Sequence, residues 1–159
     1  MYSGCDVSSA VFPIGSPAPI ISGANPTDVS CYGDVNGSIT LSPSGGIGSY
    51  SFSWDTTTSI PLPSTQQNQS PLQPGTYTVT ITDASGCEIT EDITVGEPSA
   101  ITSYFNVTPV SCNGLSDGSA TVVATGGTTP GYSYVWSPSG GNAATASSLS
   151  AGVYTVEIT

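Results

Sequence analysis

The sequence predicts an all-β protein built of tandem immunoglobulin-like β-sandwich repeats of about 80 residues each. Three observations carry that prediction. Runs such as TYTVTIT (76–82) and VYTVEIT (153–159) alternate aromatic or β-branched residues with Thr or Glu, the period of two expected of a half-buried strand. Gly and Pro, 19 and 13 of the 159 residues, punctuate the chain at short intervals, and no segment shows helical periodicity. Long motifs also recur in order. VSCYGDVNGSITL (29–41) aligns with VSCNGLSDGSATV (110–122), SGGIGSYSFSW (44–54) with TGGTTPGYSYVW (125–136), and SPLQPGTYTVTIT (70–82) with SSLSAGVYTVEIT (147–159). The offset is 81 residues from Cys31 to Cys112, 82 from Trp54 to Trp136 and 77 from Tyr77 to Tyr154.

In chain order, residues 1–22 read as the last strand of a preceding repeat, because SGCDVSSAVFPIGSPAPI (3–20) aligns with SGCEITEDITVGEPSAI (85–101) with one residue extra. Residues 23–103 read as a complete repeat, with strands in GSITLSP (37–43), SYSFSW (49–54), TYTVTIT (76–82) and CEITEDITV (87–95). Residues 104–159 read as a repeat lacking its last strand. Trp54 and Trp136 are expected as core anchors, and Tyr77 and Tyr154 as core or corner residues.

The two ends are complementary. Gly75 to Cys87 spans 12 residues; seven from Gly152 to Thr159, followed by five to Cys5, restore the same spacing. The expectation is that the ends are completed by strand exchange between neighbouring units. A strand near residues 3–14 would fill the open edge of the unit before it. Such a head-to-tail contact is heterologous and generates filaments. One long polypeptide of these repeats would have the same geometry.

Four cysteines in a β-patterned, Gly/Ser/Thr-rich chain point to disulfides in an oxidising compartment. Their wide separation lacks the close pairs of a zinc site. Cys31 is expected to open the first strand of its repeat and Cys87 the last, and a bond between them would be worth roughly 4 kcal/mol on the chain-entropy model. The tail-to-head arithmetic then pairs Cys112 with Cys5 of the next unit.

Composition excludes several functions. The chain has no Lys, Arg or His against 11 Asp and Glu, a formal charge of −11. Without cations it has no basic patch for nucleic acid and no attraction to anionic membranes. Without His it has no Ser-His-Asp or Cys-His pair, and without Lys no Schiff base. No run of 18 apolar residues suggests a membrane span, and no basic, then apolar, leader opens the chain.

Carboxylates remain for acid–base chemistry. Glu88 and Asp92 share a strand face by parity while Glu91 points to the other, a pattern better suited to a solvated edge strand than to a glycosidase cleft. No enzyme is expected. Asp34, Asn36 and Asp117 lie in Gly-rich turns (GDVNGS, LSDGS) where oxygens could hold Ca²⁺, although such residues also simply make turns. Asn36, Asn68 and Asn106 head N-x-S/T sequons. The TTTSIPLPSTQQNQS stretch (56–70) reads as an exposed loop with sugar candidates at Thr56 and Thr57, since DTT (55–57) resembles a bacterial O-glycosylation motif.

The succession V-S-C-x-G-x-x-D/N-G-S, then G-G-x-x-x-Y-x-Y/F-x-W, then L-x-x-G-x-Y-x-V-x-I-T-D-x-x-G-C resembles the SprB-type repeat, found in tandem in giant surface adhesins of gliding bacteria and their relatives. The resemblance spans nearly the whole chain. Its departures are the missing D-x-x-G-C segment of the last copy and Met1 at the place of Asp83. It implies an extracellular, cell-surface filament or adhesin with no catalytic residues. The expected partners are copies of itself, from the complementary ends, and surface glycans. The alternative is a stalk-displayed carbohydrate-binding module, which would use Tyr50 or Tyr132.

Overall fold

The computed structural model describes residues 15–56, 65–128 and 131–159, and these are all-β, with eleven strands and no helix. The predicted donor strand at 3–14, with Cys5, lies outside the described residues, as does Thr57.

In the first unit, β1 (Asn25–Thr27), β2 (Gly37–Thr40) and β4 (Gln69–Leu72) form one antiparallel sheet in the order β1-β2-β4. A second sheet has the order β3-β5-β6, from Tyr50–Thr56, Gly75–Asp83 and Glu88–Val95. The period of two in TYTVTIT turns Tyr77, Val79 and Ile81 inward, all essentially inaccessible to solvent, and leaves the Thr residues outward. Ile39 and Leu72 of the other sheet belong to the same core, so the two sheets close over one apolar interior. Trp54 lies opposite Val79 and is buried, and its indole N–H donates to the Gln66 carbonyl at 2.7 Å. Outside, Thr78 Oγ1 donates to Asp92 Oδ1 (2.6 Å) and the Thr80 and Thr90 hydroxyls pair at 3.1 Å. Hydroxyl ladders stand where a chain with cations would place ion pairs.

Two boundaries shift. Ile20 is part of the first core, and Ile21 exchanges both backbone hydrogen bonds with Ser44 (2.8 and 2.9 Å), so the first unit begins before residue 23. β7 (Thr102–Thr108) starts the second unit before residue 104. Part of the 56–70 stretch is also not a loop, because Gln69 and Ser70 open β4, which pairs with β2.

The second unit has β7, β8 (Gly118–Thr125) and β10 (Thr145–Leu149) in the order β10-β8-β7, and a two-stranded sheet of β9 (Tyr134–Ser137) and β11 (Thr155–Ile158). Trp136 repeats the role of Trp54, buried with its N–H on the Ala143 carbonyl at 2.9 Å. The tyrosine corner is present twice: Tyr77 Oη donates to the Gln73 carbonyl (2.7 Å) and Tyr154 Oη to that of Ser150 (3.2 Å).

The expected Cys31–Cys87 disulfide is corrected by topology. Cys31 lies in the loop between β1 and β2 rather than opening a strand. That loop sits at the Val95 end of β6, since Val29 N–H donates to the Gly96 carbonyl (3.1 Å) and Gly33 N–H to Glu97 Oε2 (3.0 Å). Cys87 immediately precedes Glu88 at the other end of the same strand. An extended strand of this length holds its ends roughly 25 Å apart, far beyond the ~7 Å that a disulfide can bridge. Cys31 and Cys87 therefore do not pair within the repeat; both are exposed, as is Cys112, whose expected partner Cys5 lies outside the described residues.

Candidate functional site

The two units differ most at one place. In the first, β5 pairs with β3 on one side and with β6 on the other, in register from Gly75↔Val95 to Thr82↔Glu88. In the second, β11 pairs with β9 alone among the described residues. Where β6 covers the first core, the second presents an open apolar groove of about 480 Å³.

The groove walls are the equivalents of first-unit core residues. Trp136, Leu149 and Tyr154 stand for Trp54, Leu72 and Tyr77, Ala120 for Ile39, and Val110 for Val29. In the first unit, Ile93 and Val95 of β6 complete this interior and are themselves buried. Val95 sits so closely on Gly37 that a Cβ there would lie 2.7 Å from Val95 Cγ1. Gly118, the counterpart of Gly37, lines the groove instead. From β7, Phe105 and Val107 add apolar surface at the positions of Ala24 and Pro26. Phe105 meets Trp136 edge-on at 6.4 Å yet is 52% exposed, and Val107 is 67% exposed. Sequence reasoning singled out neither residue, although the alternation in TSYFNVT (102–108) is the signal that could have found them.

The candidate metal residues act as loop caps. Ser30 N–H donates to Asn36 Oδ1 (3.0 Å) and Ser30 Oγ to Asp34 Oδ2 (2.9 Å). In the second unit Asp117 does both tasks, taking Ser111 N–H at 3.0 Å and Ser111 Oγ at 2.5 Å. Those two bonds, the hydroxyl's first, hold the Asp117 carboxyl below its ordinary pKa. No group of three Asp, Glu, Cys or His side chains is gathered among the described residues.

Asp83 is the other perturbed acid. Its carboxylate accepts Ser85 Oγ (2.7 Å), Ile47 N–H (2.8 Å), Ser85 N–H (2.8 Å) and Cys87 N–H (3.0 Å), which lower its pKa to about 2. It thereby ties the β5–β6 hairpin tip to the Gly45–Gly48 turn.

The sequon residues have separate settings. Asn36 is spent on Ser30, Asn68 Oδ1 accepts Leu41 N–H (3.0 Å), and Asn106 is exposed on β7. Thr56 ends β3. Glu88 and Asp92 face outward on the edge strand β6, and Glu91 lies half-buried opposite Val79. The aromatic platform candidates are turn clips: Tyr50 Oη donates to the Gly45 carbonyl (2.5 Å) and Tyr132 Oη to that of Gly126 (2.6 Å).

No curated protein and no solved structure matches the chain. The family model of the SprB repeat matches residues 23–59 and 105–141, which run from β1 to β3 and from within β7 to β9. One segment in each of the two units is thus similar to the SprB repeat.

Proposed function

We propose that this chain is a structural unit of an extracellular filament or giant surface adhesin, in which each unit is an immunoglobulin-like sandwich and open units are completed by a neighbour's strand. SprB repeats occur in cell-surface proteins, and no helix among the described residues is long and apolar enough to cross a membrane. The single observation that carries the reading is the groove in the second unit, at the place where β6 lies on the first.

Residues 5–14 of a neighbouring copy have the pattern to fill it. Aligned on the cysteines, Val7 falls at Ile89 and Val11 at Ile93, and the extra residue is absorbed before Gly15 meets Gly96. Main-chain hydrogen bonds along β11 and apolar side chains in the groove would hold the added strand, the mode of β-strand addition. The joint does not close on itself, so repetition gives a fibre. A covalently continuous polypeptide would make the same joint within one chain.

Sedimentation velocity tests this on the full chain and on a version starting at Gly15. The full chain should polymerise and the shortened one stay monomeric, and a peptide of residues 1–22 should raise the melting temperature of the shortened chain. Equal sedimentation together with an unchanged melting temperature would remove the reading. In native material, a high-mass band that survives denaturation and reduction identifies the single-polypeptide form.

A further inference from the structure

We infer that the cysteines staple successive repeats: the V-S-C loop cysteine of one repeat forms a disulfide with the hairpin-tip cysteine of the repeat that follows. Cys112 of one copy then pairs with Cys87 of the next. This rests on the head-to-tail reading above and adds a covalent connectivity to it.

A chain of short contacts crosses the junction. The Cys31 loop is fastened to Glu97, whose Oε2 accepts Gly33 N–H at 3.0 Å. Two residues later the Ser99 carbonyl accepts Gly127 N–H at 2.7 Å. A Cβ on Gly126, where φ is +89°, would lie 2.1 Å from the Ala100 oxygen, so this turn of the second repeat rests directly on the linker. At no more than ~3.6 Å per residue, the loop's anchor and the turn's anchor are at most about 7 Å apart along the chain.

The head of the first repeat shows the same junction from the other side. Gly46 N–H donates to the Ala18 carbonyl at 2.8 Å, as Gly127 does to Ser99. There the turn continues to the hairpin tip: Ile47 N–H binds Asp83 Oδ2 and Cys87 N–H binds Asp83 Oδ1. Taken as equivalent, the two junctions set the V-S-C loop of one repeat and the hairpin tip of the next on the same short linker. Within one repeat those same two features stand at opposite ends of β6.

Bond formation is an ordinary exchange. The two thiols lose two protons and two electrons to an external disulfide, here oxidised glutathione, which is released as two reduced thiols.

Filaments assembled in oxidised glutathione are digested with a protease that cuts after Asp and Glu, because the chain offers no Lys or Arg, and linked peptides are identified by mass. The expected product joins the Cys87 and Cys112 peptides. Cys112→Ser should lose that product while its filaments still sediment. Filaments with Cys31–Cys87 links, with Cys112–Cys5 links or with free thiols overturn the inference and leave the head-to-tail reading intact. Absence of filaments from the unsubstituted chain removes that reading, and this inference with it.

Discussion

The two units share their motifs but not their interiors. Tyr77, Val79 and Ile81 are buried, whereas Tyr154, Val156 and Ile158, drawn from the same motif, are half-buried. Trp54 and Trp136 have the same exposure, so the difference is not a general loosening. It is confined to the side of the core that β6 covers in the first unit. Two residues of that strand, Ile93 and Val95, each contribute about 1.5–3 kcal/mol by burial. One strand therefore decides whether a given set of side chains is a core or the wall of a groove.

Two substitution pairs and one pH dependence put this comparison to the test. The largest effect is expected from the tryptophans. Trp54→Ala should cost about 3–5 kcal/mol in the closed unit, and Trp136→Ala less, because the space it vacates joins the open groove and fills with water instead of leaving a sealed cavity. Calorimetry of the two variants checks the ranking, and equal losses would erase the distinction between closed and open units. Next come the corner tyrosines. Tyr77→Phe removes a 2.7 Å bond from a buried hydroxyl and should cost about 1 kcal/mol. Tyr154→Phe removes a 3.2 Å bond at a wetter site, and denaturant midpoints should barely move.

The smallest effect is a pH dependence. The first unit caps its V-S-C loop with the amide Asn36 and the second with the carboxylate Asp117. Asp117 has its pKa lowered on folding, so its contribution is full above the ordinary carboxylate value and is lost as pH falls through the folded one. Amide exchange at Ser111 should accelerate in acid relative to Ser30, and Asp117→Asn should remove the difference. Identical acid profiles at the two serines would show that the caps are equivalent.

Much of this was legible in the sequence. Period-two alternation located β5 and β11, and the recurrence of Trp and Tyr at fixed places marked the anchors, because burial on a strand is written residue by residue. The low-complexity stretch hid β4, where a polar Gln69 is buried at 1% exposure and no hydrophobic pattern announces it. The disulfide expectation failed for another reason. Sequence order shows that Cys31 and Cys87 flank a repeat, but not that β6 carries them to opposite ends of it. The groove was legible only as a missing strand; its walls at Phe105 and Val107 required the sheet geometry.

The position of β6 also has a mechanical meaning. The strand leaves its unit through Gly96 into the linker at Glu97–Ala100, while the chain enters the same unit beside the Gly45–Gly46 turn at the other end. Tension along a series of units therefore pulls β6 lengthwise against β5. The register from Gly75↔Val95 to Thr82↔Glu88 is then loaded in shear, with its cross-strand hydrogen bonds sharing the force rather than opening one after another. A unit closed in this way is a tensile link, and a strand laid into the second groove in the same direction would carry the same load from one unit to the next.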